Sequence, residues 1–299
     1  MAAKSQKITG ALITKGIQFS GFSSILFVLL IMFFLFYQGI PALFDVPLGD
    51  LFSQRWYPIE SLYGIVPLIL GSLIVTLGAS LIAVPFGVIT AIYIAEIAPR
   101  WLAEIMKPLV ELLAGLPSVV LGFLGILIVS PFLRDVLNLP TGLTAFTGSL
   151  LLGGIAIPTI VSISEDALKN VPVSYRQGSY ALGVTQWQTI WSVTVPAARR
   201  GILTAIMLGL GRTIGETMTV MMVTGNAPVM PASFMALFMP IRTMTATIAS
   251  EMGEVAGGSP HYHVLFFIGL ILFLFTLAVN IVVSRISTQQ LKRSERILS

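Results

Sequence analysis

The chain has 299 residues, of which 56% are hydrophobic and 10% charged, with a mean hydropathy of +0.93 and a formal net charge of +4. Soluble globular proteins carry about 25% charged residues, so most of this surface does not face water. The lack of cysteine excludes a disulfide scaffold, thiolate metal sites and thiol catalysis, and the positive balance reads as Lys and Arg held in inner loops rather than as a nucleic-acid surface.

Lys4, Lys7 and Lys15 precede an apolar run, as in a secretory signal. The run over 19–44 is uncharged and far longer than a signal's apolar region of roughly 7–15 residues, so residues 19–41 are read as a first membrane helix. At about 1.5 Å per residue such a helix crosses a hydrocarbon core of about 30 Å. A polar segment with Asp45, Asp50, Arg55 and Glu60 follows, then a second span over 67–93 containing Pro85. Glu96, Pro99, Arg100, Glu104 and Lys107 form a connector. The third span is placed at 108–129, with Glu111 as a charge near its N-terminal end. Residues 131–141, with Arg134 and Asp135, read as a short loop, and 143–164 as a fourth span interrupted by Pro158. A polar, amphipathic stretch occupies 165–200, and the fifth span, 202–223, contains Arg212 and Glu216. After a Met- and Pro-rich linker to His263 comes the sixth span, 264–283, and a basic tail with Arg285, Lys292, Arg293 and Arg296.

The pattern predicts an all-α integral membrane protein with six transmembrane helices. With the N-terminus inside, inner segments hold thirteen of the seventeen basic residues, leaving Arg55, Arg134 and Arg242 outside and Arg212 within a span. The bias of basic residues to inner loops therefore puts both termini in the cytoplasm. The expected organisation is a tail, first helix and outer loop at 1–62, a core at 63–285, and a basic tail at 286–299.

The inner stretch 165–200 is too polar to span yet has helical signals. Pro172 suits a first helical turn, and Gly183 can end the helix in the left-handed conformation. Thr185 and Gln188 have capping-box spacing. Trp187, Ile190, Trp191 and Val195 make an apolar stripe, and Pro196 is expected to end or redirect the second helix. Two readings fit: an interfacial helix with tryptophans among lipid headgroups, or a docking knob for a cytoplasmic partner.

Gln177-Gly178-Ser179, then Gly183 after three intervening residues, then Val193-Thr194-Val195-Pro196 after nine more, resembles the EAA loop of binding-protein-dependent ABC importer permeases. The glycine, the proline and both spacings are kept, while Gln177, Gly178 and Ser179 replace Glu-Ala-Ala. Three further segments resemble the PstC type of phosphate importer permease: Glu111 to Val120 with Gly122-Phe123, Glu165 to Pro172, and Gly211 to Met218. The resemblance implies a type I ABC importer permease fold in a prokaryotic inner membrane. It implies a coupling helix carrying Gln177, Gly178, Ser179, Ala181, Leu182, Gly183 and Pro196, seated in a groove of an ATPase subunit. The implied partners are a PstA-type second permease, two ATPase subunits and an extracytoplasmic phosphate-binding protein, with the chain embedded in membrane lipid. ATP would be used by the partners, with no cofactor in this chain.

Arg212 and Glu216 are four residues apart and are expected on one helical face. A charge at the bilayer centre costs roughly 2.5–3.5 kcal/mol on insertion scales, so both must face the bundle or a polar cavity. One reading is a structural ion pair. The other is a transport site, in which the Arg212 fork binds phosphate oxygens and Glu216 neutralises the empty site and favours release. The resemblance implies the second. Ser118, after Pro117, is a further candidate in the pathway, either as a donor to substrate or as a helix-bonded serine. His261 and His263 read as loop residues rather than metal ligands, and the methionines between Met218 and Met252 as adaptable packing. The chain lacks the G-x-x-x-x-G-K-[ST] phosphate loop, so a permease subunit of an ATP-hydrolysing complex is expected, working by alternating access. Other oxyanions (sulfate, molybdate, phosphonate), an ion-coupled secondary transporter and a structural membrane subunit are the competing readings.

Overall fold

The computed structural model describes the backbone of residues 2–231 and 234–298 and the side chains of residues 13–231, 235–281 and 285. The expectations on Lys4, Lys7, Lys292, Arg293 and Arg296 concern side chains outside these. The architecture is helical, and six helices among the described residues are long and apolar enough to cross a membrane.

Helix α1 (Ala2–Gly39) is exposed along its apolar length, with none of its most apolar window buried by the rest of the chain. This is the pattern of a helix facing lipid or another subunit. Two one-turn helices, α2 (Ala42–Asp45) and α3 (Leu48–Leu51), follow. A two-stranded antiparallel ribbon of β1 (Trp56–Tyr57) and β2 (Leu62–Tyr63) then leads into α4 (Val66–Ile92). A π-helical turn, Tyr93–Ile97, closes α4.

The third span departs from expectation. Helix α5 (Arg100–Ala114) stands alone, and the span Ser118–Leu137 is made of α6 (Ser118–Leu124), a π turn (Gly125–Val129) and α7 (Ser130–Leu137). Pro117 is extended, at ψ 131°, and a proline disfavours helical backbone at the residue before it. The helix therefore breaks after Ala114. Arg134 and Asp135 are helical rather than in a loop, because Pro131 occupies the first turn of α7, where a missing N–H costs no bond. Glu111 lies in the last turns of α5, not at a helix N-terminus.

Helix α8 (Ala145–Lys169) starts at a Thr144 cap, whose hydroxyl accepts from the Thr147 amide, and runs unbroken past Pro158. It is the most enclosed span, with 56% of its window buried, and packing against neighbouring helices offsets the bond the proline removes. Short helices α9 (Val173–Ala181) and α10 (Gln186–Thr189) come next. A π turn, Ile190–Thr194, joins α10 to α11 (Val195–Gly215). Pro196 neither ends nor redirects this helix. The π turn shifts the bonding register, which leaves Pro196 in a first-turn position where no donor is needed.

The fifth span also breaks. α11 stops at Gly215, Glu216 is extended (φ −69°, ψ 128°), and α12 (Met218–Val223) restarts the helix. Helices α13 (Met244–Glu251) and α14 (Pro260–Leu298) complete the chain. The ring of Phe34 meets Phe266 edge-on, and Gly39 lies against the Phe266 backbone. Leu35 reaches Gly269, so α1 and α14 are antiparallel and their free ends share one end of the bundle. Helix alternation puts the α9–α10 loop at that same end.

At the opposite end, Glu251 gathers Trp56 (Nε1–Oε1 3.1 Å), Arg242 (Nη1–Oε1 2.6 Å) and His261 (Nε2–Oε2 2.8 Å). His263 Nδ1 meets Asp45 Oδ2 at 2.6 Å. The two histidines are thus in the first turn of α14, pinning elements at that end of the bundle, rather than in a loop. Of the methionines, Met244 is buried while Met218, Met235 and Met239 are exposed, so the cluster is only partly packing.

Candidate functional site

The two broken spans meet at their breaks. Arg212, in the last turn of α11, donates from Nη2 to the Ala114 carbonyl (3.2 Å), and its Nη1 donates to Thr159 Oγ1 of α8 (3.3 Å). Ala114 closes α5, and the last carbonyls of a helix have no partner within it and carry partial negative charge. The break after α5 is therefore what lets a buried-facing arginine rest without a carboxylate.

Glu216 points away from that arrangement. Its Oε1 accepts weakly from the Thr219 amide (3.4 Å) and hydroxyl (3.5 Å), capping α12, and its carbonyl accepts from Thr245 Oγ1 (3.2 Å). Arg212 and Glu216 form no ion pair among the described residues. The expectation of one shared helical face fails because the helix ends between them. Ser118 joins through its backbone, its carbonyl accepting from Thr219 Oγ1 at 2.9 Å. A chamber of about 10 Å³ beside Glu216 is lined by Ser72, Thr76, Thr213, Thr243 and Thr245, about the room one water needs.

Around this junction the surface is open. No atom would meet a Cβ added at Gly154, Gly211 or Gly215, whereas Gly209, on the inner side of α11, faces Ile160 at 2.6 Å. One side of α11 is packed, and the other offers an uncovered surface of small residues next to Arg212.

The α9–α10 loop forms a compact knob. Gly183 has φ +77°, a conformation glycine adopts without strain, and turns the chain between the helices. Thr185 and Gln188 make the expected capping box. Gln177, Gly178, Ala181, Leu182 and Pro196 are exposed, and Leu182 is 83% exposed. Ser179 is buried instead, its hydroxyl bonded to Thr189 Oγ1 at 2.9 Å, so it joins α9 to α10 rather than presenting a surface. The apolar stripe divides: Ile190 is buried, while Trp187 and Trp191 stack edge-on and stay exposed.

Besides the Glu251 cluster, two ion clusters went unread in the sequence. Lys107 donates to Glu165 Oε2 (2.8 Å) and Asp166 Oδ1 (2.7 Å). Lys169, one turn on, approaches Glu165 Oε1 at 2.5 Å as an ion pair without hydrogen-bond alignment. Glu165 is buried, so it belongs to α8 and not to a polar loop. Hydrogen bonds to Asp166 and then Glu165 hold the Lys107 ammonium well above its ordinary pKa. Lys107 also lines an open cavity of about 490 Å³ with Arg100, Glu104, Glu111 and Lys169. The second cluster joins Arg176 to Glu96. These partners lie 58 and 80 residues apart, beyond any spacing rule.

Residues 83–294 match the family model described as binding-protein-dependent transport system inner membrane component. The chain is 42% identical over 245 residues to the probable ABC transporter permease protein YqgH of Bacillus subtilis, covering 80% of this chain and 78% of that protein. It is 34% identical over 263 residues to the phosphate transport system permease protein PstC of Xylella fastidiosa, covering 82% of this chain and 79% of that one. Among solved structures, the MetNI methionine ABC transporter superposes with a TM-score of 0.56 at 19% identity, over 75% of this chain and 93% of that chain, which shows the shared fold. The chain is therefore a multi-pass membrane protein that belongs to the binding-protein-dependent ABC importer permeases and, within them, to the PstC type.

Proposed function

We propose that this permease subunit imports inorganic phosphate. The observation that carries the reading is Arg212, a guanidinium held by one hydroxyl and one carbonyl at the junction of two broken helices, beside an uncovered glycine-lined surface. Neutral acceptors leave its charge free to attract an anion, and its planar fork suits a tetrahedral oxyanion. The PstC relatives, named phosphate transport system permeases, support phosphate over other anions.

In this reading the α9–α10 end and both termini face the cytoplasm of a prokaryotic inner membrane. A PstA-type permease covers the glycine-lined face, two ATPase subunits take the α9–α10 knobs, and an extracytoplasmic phosphate-binding protein delivers the anion at the opposite end. Glu216 stands beside the released anion and repels it, and Ser118 borders the same passage. This chain itself catalyses no reaction, and transport proceeds by alternating access. The test is ATP-dependent uptake of radiolabelled phosphate into proteoliposomes carrying all subunits, competed by excess sulfate. Uptake that requires ATP and ignores sulfate supports the proposal. Competition by sulfate would move the substrate to another oxyanion, and uptake driven by a proton gradient alone would overturn the mechanism.

A further inference from the structure

Both short helices of the knob hang from one residue, Glu96, in the π turn that ends α4. Arg176 on α9 sets two nitrogens against its carboxylate, Nη2 2.5 Å from Oε1 and Nε 3.3 Å from Oε2. The same guanidinium donates to the carbonyls of Val171 (Nη1, 2.8 Å) and Leu168 (Nη2, 2.9 Å), where α8 ends. Gln186 of α10 donates its side-chain amide to the Glu96 carbonyl at 3.0 Å. Glu96 is 8% and Arg176 17% exposed, so water screens this pair far less than a surface bridge.

We propose that Arg176 is a positioning residue: with Glu96 it forms the strut through which displacement of the α9–α10 knob is carried into α4 and α8 together. The inference rests on the reading that the knob docks on an ATPase subunit. A two-nitrogen fork fixes direction as well as distance, so a push on α9 cannot be absorbed by rotation about a single bond. The helices it holds are locked to each other. A Cβ added at Gly78 would lie 2.4 Å from Ser149 Oγ, and one at Gly87 would lie 2.7 Å from Ile160. Close-packed seams of this kind transmit strain instead of yielding.

Both helices then lead to the charged junction. From Leu168, α8 runs back about 13 Å to Thr159, which accepts from Arg212. From Glu96, α4 runs back about 30 Å to Thr76 and about 36 Å to Ser72, which line the chamber beside Glu216. The strut therefore grips the far ends of the two helices that touch the transport residues.

The test uses the assembled complex in proteoliposomes that import phosphate with the native residues. Because the chain has no cysteine, Leu182→Cys at the tip of the knob, or Tyr180→Cys on the exposed side of α9 where Leu182→Cys itself lowers uptake, reports docking by its shielding from a water-soluble maleimide. In that background Arg176→Lys removes the fork, and Glu96→Gln keeps the carbonyl for Gln186 while removing the carboxylate charge. The expected result is that Leu182→Cys stays shielded while phosphate moved per ATP hydrolysed falls about fivefold or more. The nearly isosteric Glu96→Gln keeps the test decisive if the lysine variant does not assemble. Unchanged transport per ATP would overturn the strut. So would exposure of Leu182→Cys in the variants, because Arg176 would then be shaping the docking surface. Free labelling of the reporter cysteine with Arg176 and Glu96 intact, in a complex that still imports phosphate at the native rate per ATP, would instead overturn the docking reading on which the strut rests.

Discussion

Arg212 and Glu216 are four residues apart and do not pair, because α11 ends at Gly215 between them and each turns to a different neighbour. The arginine rests on the closing carbonyl of α5 and a threonine of α8, and the glutamate caps α12. The two charges are therefore separable by mutation.

Arg212→Lys keeps the charge but loses the fork that reaches Thr159 and Ala114 at once. Phosphate uptake is expected to drop about tenfold or more, corresponding to about 1.4 kcal/mol. Initial uptake rates across phosphate concentrations check this, and a normal rate would remove bidentate recognition from the mechanism.

Glu216→Gln retains an acceptor for Thr219, so thermal unfolding of the purified complex should shift by no more than about 0.5 kcal/mol equivalent. Glu216→Ala removes the weak acceptor of the Thr219 amide and should cost about 0.5–1 kcal/mol. If Glu216 were a buried ion-pair partner, the glutamine variant would lose about as much as the alanine variant, which differential scanning fluorimetry would reveal.

Pro117→Ala removes the barrier to helical backbone between α5 and α6. A continuous helix would recruit the Ala114 carbonyl into its own bonding and withdraw it from Arg212. Uptake is expected to fall severalfold with the complex still assembled, as judged by co-purification of the ATPase subunits.

The Lys107 ammonium is held above its ordinary pKa by Asp166 and Glu165. Because the folded value lies above the unfolded value of about 10.4, its contribution is complete below that pH and is lost only as pH rises through the folded value. The gap in melting temperature between the native chain and Lys107→Met should therefore stay constant from about pH 7 to about pH 9. A gap that closed within this range would place the lysine outside the buried Glu165 cluster.

The spans were legible because a bilayer imposes length and apolarity on every crossing segment, and local chemistry marked the knob at Thr185, Gln188 and Gly183. Prolines were read less well. Pro117 breaks a helix, while Pro158, Pro131 and Pro196 sit inside or at the start of helices that continue. A proline interrupts a helix only where packing and neighbouring bonds do not compensate, and those neighbours come from distant parts of the chain. The buried position of Ser179 was hidden for the same reason: its partner, Thr189, lies across the Gly183 turn.

Composition and charge-free lengths by themselves determined six membrane spans, and motif spacing determined a loop-borne knob, an arginine and a glutamate four residues apart near the end of the fifth span, and the resemblance to importer permeases. Each of those properties is local, so the residues carry it without reference to their neighbours in space. The tertiary structure alone decided that two helix breaks meet at Arg212, that Glu216 turns away, and that Arg176 and Lys107 anchor the loop end to Glu96 and Glu165. Those relationships depend on how rigid helices pack, which brings together groups that the chain keeps 58 to 98 residues apart.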